Sequence, residues 1–527
     1  MDNPILAKAT RLYQAKRWDE ACKALDECRR RHPDALQACN LLGLIGLQVR
    51  DFTAAREAFE AGLKIDARNP ELWHNLGLVM AEVQQPVLME RCLRAALEAA
   101  PEQHASRLML ARCVLGMGRI EDAFAQVWPL AGKFEGNPEY HFILGTCLLR
   151  LNRLEEAEAA LRRTLELAPG MTQGLNNLGV TLRLQGRLDE AVAVLDESLR
   201  SAPQNADAHV NQATIHLLRG NLEEGWKEFE WRFASYRLLW GAQDLTMPPW
   251  HGEERPGDTI LLLAEQGMGD TIQFIRLAPL VKARFPGGRV VVEVQAPMAR
   301  LLRGADGIDQ ILIRGQPRPP FQTYASLMGL SRHFLPTIAS IPAPVPYLAR
   351  ELARTAPPPP RPGERPLRVG VVWAGSGAHA ENRARSCPAE ALLPLREAPG
   401  VEVVALQKFE RPEEAERNPF PDAVAGCKDF LDTAGVVAGL DLVVSVDTAV
   451  AHLAGAMARP LWLLLPKNAE WRWLLERADT PWYPTARLFR QARANDWAEL
   501  GGRVARELAE AARTGHGLLP SPSSPPS

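Results

Sequence analysis

Hydrophobic positions follow two different patterns along the chain. Up to about residue 230 they recur with a helical period, and from about residue 258 they gather into short unbroken runs. Shifting the first region against itself by 34 residues brings Ala21, Ala55, Met89, Ala123, Ala157, Ala191 and Gly225 into register. The small residues Ala9, Gly43, Gly77, Ala111, Gly145, Gly179 and Ala213 stand twelve places earlier in the same register. This spacing predicts antiparallel helix pairs whose backbones approach at the small residues. Leu42, Phe59, Leu76, Leu93, Leu161 and Leu195 then fill the seam, and Pro33, Pro101, Pro169 and Pro203 close the second helices.

The repeat resembles the tetratricopeptide family, with about seven copies over residues 2–235. The third copy, around VQQPVLMERCL, and the fourth depart from the consensus. Stacked pairs of this kind form an α-solenoid whose groove binds protein segments, the plainer alternative being a spacer or a dimerisation surface.

In the second region TILLLAE, RVVVEVQ, QILIRG, LRVGVVWAG, VEVVALQ, DLVVSV and PLWLLLP read as buried strands. They alternate with helical segments such as TIQFIRLAPLVKARF, TAVAHLAGAM and WAELGGRVARELAEAA, which predicts α/β architecture with mostly parallel sheets. A Pro-rich linker, placed at 351–366, separates an expected half at 236–350 from another at 367–515, and residues 516–527 read as a disordered tail. Two such halves make a cleft, and ligands bind beyond the carboxyl ends of the strands.

Composition removes several function classes. A net charge of -2 with 24% charged residues gives no nucleic-acid footprint. The eight Cys form no C-x-x-C or His-spaced zinc pattern and read as reduced thiols of a cytoplasmic protein. No run is long and apolar enough for a membrane helix.

Candidate chemistry sits at the turns after the strands. In the first half Gly267-Met268-Gly269-Asp270 leads into a helix with Gln273 one turn on; glycines there permit close approach by a ligand. Asp270 faces the cleft near the helix start, where capping alone would also account for it. Ile272 stands where a G-x-G-x-x-G fingerprint needs its third glycine, which argues against NAD. In the second half Trp373, Gly375, Ser376 and Gly377 follow a strand. Arg383 and Arg385 suit phosphate, or a solvated loop, and Gln407 and Lys408 end another strand. Asp447 ends DLVVSVD and Thr448 follows it, and His452 lies one turn after Thr448, where the free N–H groups of a helix start favour an anion.

Taken together, GMGDTIQFIRLAPLVKAR, VGVVWAG, NRARS, LQK, SVDTAVAHLAGA, LLLP and EWRWLLERADTPWYPTARLFRQ resemble the bacterial heptosyltransferase family of GT-B glycosyltransferases, especially members with N-terminal tetratricopeptide repeats. The resemblance covers about 240–495. It implies a general base at Asp270, near an acceptor turn of Gly267, Gly269 and Gln273. It also implies a nucleotide-sugar donor site built from Trp373, Gly375, Arg383, Arg385, Gln407, Lys408, Asp447, Thr448 and His452. Ala449 replaces the glycine of the family's D-T-G-x-x-H segment. With no D-x-D motif, neither a metal nor a further cofactor is expected. The leading expectation is sugar transfer to an acceptor hydroxyl, with a protein acceptor or partner in the repeats. The alternatives are a non-catalytic scaffold carrying a nucleotide-sugar-binding module, and an enzyme that uses NAD or another nucleotide.

Overall fold

The structure is a computed structural model and describes residues 4–235, 245–375, 382–409 and 412–520. Ser376 and Gly377 of the expected donor turn lie outside these residues, as does most of the expected tail. The chain divides into two compact units, Met1–Leu178 and Gly179–Ser527.

Seven helix pairs run from Pro4–Gln14 with Trp18–Arg31 to Ala206–Leu218 with Leu222–Phe229. Small residues let each pair close. A side chain added at Gly43 would enter the Phe59 ring, and at Gly145 or Gly179 it would meet Leu161 or Leu195. Phe59, Leu76, Leu93, Leu161 and Leu195 are buried, while Leu42 is only partly so. The third pair, Pro70–Glu82 with Pro86–Ala99, is complete despite its unusual sequence. In the fourth, the second helix stops at Val127 and tightens into the 3-10 turn Trp128–Leu130, where Pro129 cannot continue the α-helical bonds. The described cysteines are all free. Burial pushes the Cys147 thiol up to about 12 and Cys92 to about 11, which fits packing rather than reactivity.

The described residues of the second unit contain two parallel sheets. Strands β1 (Thr259–Leu263), β2 (Arg289–Val294), β3 (Gln310–Ile313) and β4 (Thr323–Ser326) take the order β3-β2-β1-β4. Strands β5 (Leu367–Val372), β6 (Val401–Ala405), β7 (Leu442–Val446), β8 (Leu461–Leu465) and β9 (Ala486–Arg490) take the order β6-β5-β7-β8-β9. Every strand pair in both sheets is parallel, and β7 and β8 are buried throughout, as their unbroken apolar sequences require. The expected helix TIQFIRLAPLVKARF is broken into Met268–Phe274, a 3-10 turn at Ile275–Leu277 and Ala278–Arg284, with Pro279 opening the last piece. Between the halves Arg350–Thr355 is helical, and no regular element follows before β5.

Strand order fixes where a ligand site belongs. In the first sheet the order reverses between β1 and β4, and in the second between β5 and β7. Crevices at such switch points open beyond the carboxyl ends of the strands, where the turns carrying Asp270 and Asp447 begin.

Candidate functional site at the strand ends

The first turn leaves β1 through Glu265 and starts the helix Met268–Phe274. Asp270 is the third residue of that helix, and the Gly267 N–H donates to Asp270 Oδ2 at 2.9 Å. The carboxylate therefore satisfies a donor the helix start would leave unpaired, as the capping alternative required. Its other oxygen pairs with Arg472, which sits in the WRW turn of the second half. The Asp270 side chain keeps 19% exposure, so the group is held without being sealed.

Arg472 is the residue that sequence reasoning missed. Buried and ringed by carboxylates, it pairs with both Asp270 and Glu470, and its Nε donates to Gln273 Oε1 at 2.6 Å. Its guanidinium lies over the Trp471 ring at 4.3 Å. Burial alone would lower its pKa, but Glu470, Asp270 and Asp447 leave it raised. Gln273 is fully buried, and its Nε2 has no partner among the described residues. Arg276, one turn on, donates to Trp482 O at 2.8 Å, Pro342 O at 3.0 Å and Tyr347 Oη at 2.8 Å, tying the first half to the second.

The second turn is built differently. Thr448 caps the helix Ala449–Ala456 by accepting from the Ala451 N–H, and Ser445 Oγ lies 2.9 Å from Thr448 Oγ1. Asp447 and His452 are buried, with 6% and 4% exposure. The Trp473 Nε1–H donates to Asp447 Oδ2 at 3.0 Å, and His452 Nε2 lies 3.6 Å from Asp447 Oδ1. His452 Nδ1 bonds Tyr483 Oη at 2.8 Å. Burial pushes the Asp447 carboxyl upward, yet His452, Arg385 and Arg472 hold it well below the carboxylate range. Burial lowers the His452 pKa against the pull of Asp447.

The two turns meet. Helices Met268–Phe274 and Ala449–Ala456 pack together. A Cβ at Gly269 would lie 2.9 Å from His452 Cδ2 and 3.5 Å from Ala449 Cα. The expectation that glycine there admits a ligand changes accordingly: the absent side chain admits His452 and the backbone at Ala449.

The remaining residues divide by role. Trp373 is buried against Phe409 and Phe420, at ring distances of 5.9 and 5.7 Å, so its ring belongs to the core. Gln407 Oε1 accepts from the Trp373 and Ala374 N–H groups at 3.3 and 3.0 Å and pins the β5 end. Lys408 Nζ donates to Cys427 O at 2.8 Å. At Gly375 an added Cβ would sit 2.6 Å from Arg385 Nη2, so the guanidinium lies directly on that backbone. The buried Arg385 Nε has no partner among the described residues, whereas Arg383 is exposed. Asp270, Asp447, Thr448, His452 and Arg385 are thus gathered at the strand ends, while Trp373, Gln407 and Lys408 serve packing or backbone support. Among the described residues no group of three or more His, Cys, Asp or Glu side chains is arranged to hold a metal ion.

Family models match the repeat region. A tetratricopeptide repeat model matches residues 6–70 and 176–229. The N-terminal region is a tetratricopeptide solenoid. A model described as anaphase-promoting complex, cyclosome, subunit 3 matches residues 88–164, within the same repeats. The chain is 26% identical over 324 residues to Protein FlbA of Caulobacter vibrioides, a match covering 54% of this chain. It spans about half, 52%, of that relative's length. Among solved structures, YrrB, described as a TPR protein with an unusual peptide-binding site, is 19% identical, with 36% of this chain and 96% of YrrB covered and a TM-score of 0.33. PilF of Pseudomonas aeruginosa is 16% identical, with 39% and 94% covered and a TM-score of 0.33. Tetratricopeptide arrays are protein-binding scaffolds. No helix among the described residues is long and apolar enough to cross a membrane.

Proposed function

We propose that the α/β region is a metal-independent GT-B glycosyltransferase that moves a sugar from a nucleotide-sugar donor to an acceptor hydroxyl, with the repeats binding a protein acceptor or partner in the cytoplasm. The observation that carries this reading is the meeting of two strand-end turns. One presents a partly open carboxylate, Asp270, and the other a helix start at the β5/β7 switch point. Asp270 removes the proton of the acceptor hydroxyl as its oxygen attacks the anomeric carbon. The carbon–oxygen bond to the nucleoside diphosphate breaks, and the leaving group carries away the electron pair. Amides at the start of Ala449–Ala456, which lack intrahelical acceptors, stabilise the developing phosphate charge together with Arg385. In this reading Asp447 and His452 hold that helix in place rather than touching the donor.

A second reading, a scaffold that binds nucleotide sugars without turnover, is favoured by the Asp270–Arg472 pair. A base committed to a buried guanidinium must be freed or shared before it can take a proton.

A thermal-shift screen against UDP-, GDP-, ADP- and CDP-sugars, with NAD as control, tests the donor class. A ligand at 100 times its Kd stabilises by about 2.7 kcal/mol. Stabilisation by a nucleotide sugar supports the proposal, and stabilisation by NAD alone overturns it. Binding with no hydrolysis or transfer favours the second reading.

A further inference from the structure

The end of the last repeat reaches both segments that meet at Asp270. Trp226, buried in the helix Leu222–Phe229, sets its ring edge-on to Phe274 at 6.0 Å and to Trp471 at 5.2 Å. Phe274 is the last residue of the helix that carries Asp270, and Trp471 immediately precedes Arg472. Six residues on, Arg232 is 2% exposed and forks onto Glu265, with Nε to Oε2 at 3.1 Å and Nη2 to Oε1 at 3.0 Å. Its Nη2 also donates to Ser326 Oγ at 3.0 Å, and its Nη1 to Phe229 O at 3.0 Å and Glu230 Oε1 at 2.8 Å. Glu265 and Ser326 stand at the carboxyl ends of β1 and β4, the strands that flank the switch point of the first sheet.

That crevice therefore holds a guanidinium from the repeats. A well-packed apolar plug would stabilise a buried position at least as well as an ion pair. What a two-pronged Arg–carboxylate contact adds is direction, because the planar fork accepts one orientation of its partner. Glu265 lies two residues before Gly267, whose N–H is bound by Asp270. Arg232 thus fixes the start of the Asp270 helix, while Trp226 backs its end and the Arg472 turn.

We infer that Trp226 and Arg232, residues of the last repeat, are positioning residues for the Asp270–Arg472 pair. The repeat end is then part of the cleft's machinery and not a tether. The kinetic consequence rests on the glycosyltransferase reading; the geometric one does not.

The full-length chain with both charges removed, Arg232→Met with Glu265→Met, avoids stranding a buried ion and is the main test. Trp226→Leu is the second variant. In 15N-labelled protein the indole N–H of Trp482, bonded to Arg472 O at 2.9 Å, reports the pair. The indole N–H of Trp462, bonded to Leu518 O at 3.0 Å, serves as the remote control. We expect the Trp482 resonance to move in both folded variants while Trp462 stays in place. With a donor identified, kcat for transfer falls at least tenfold while donor Kd holds within twofold. A folded double variant with both indoles at wild-type positions overturns the inference, and an active wild type would then leave the enzyme reading standing. A displaced Trp482 signal in a protein that never turns over a donor supports the positioning role and removes the enzyme reading.

Discussion

The two strand-end turns share a plan and are put to different uses. Each leaves a buried parallel strand and enters a helix with an aspartate near its start. In the first, Asp270 keeps partial exposure, with its two oxygens on Gly267 and Arg472. In the second, Asp447 is buried with its oxygens toward Trp473 and His452, and His452 is held in turn by Tyr483. The lesson is that an aspartate at a strand end is not by itself a reactive group. What matters is whether its surroundings leave it a face toward the cleft. Trp473 and His452 cover the two oxygens of Asp447, and the turn is left with its backbone N–H groups as its resource.

The largest effect is expected at Asp447. Asp447→Ala removes a charge-assisted bond and strands the Trp473 indole N–H, so urea unfolding should show a loss of about 3 kcal/mol. A loss under about 0.5 kcal/mol, the range of ordinary surface changes, would mean the second turn is not locked. Next comes the contact between the turns. Gly269→Ala drives a methyl group into His452 and should cost about 1–3 kcal/mol in the same experiment. An unchanged midpoint would show that the two helix starts do not meet closely in solution.

Acidification sharpens the contrast without mutation. His452 and Asp447 both have lowered folded-state pKa values, so each contributes stability above its unfolded pKa that is lost as pH falls through the folded one. The His452 contribution starts to fade below about pH 6.5 and that of Asp447 below about pH 3.9. Thermal midpoints between pH 7.5 and 5 should fall more steeply for the wild type than for His452→Gln. Parallel curves would contradict a lowered His452 pKa. The smallest effect is expected at Asp270. Asp270→Asn keeps an oxygen for the Gly267 N–H and leaves Arg472 with Glu470, so stability should fall by about 1 kcal/mol, the net worth of one hydrogen bond.

The sequence revealed the repeats through their period and most strands through unbroken apolar runs. The two strands it did not announce, β4 (TYAS) and β9 (ARLFR), both lie at sheet edges. An edge strand need not be apolar on both faces, so its residues carry no long hydrophobic run. The turns around Asp270 and Asp447 were legible because glycine, aspartate and helix-start signals are local. Arg472 was not, because its partner Asp270 is 202 positions away and its neighbours read only as aromatic packing. The same holds for Arg232 and Glu265, 33 positions apart, joined by a charge pair that no local pattern announces.

In the proposed transferase Asp270 carries the chemistry and the second turn the binding. This division is tested most directly by measuring single-turnover transfer and donor Kd side by side for wild type and Asp270→Asn, using the nucleotide sugar found in the thermal-shift screen. Loss of a positioned base predicts a rate lower by about 10²–10⁴-fold, with donor Kd within twofold of wild type. A variant that transfers at the wild-type rate, or one that loses donor binding along with transfer, would contradict the account.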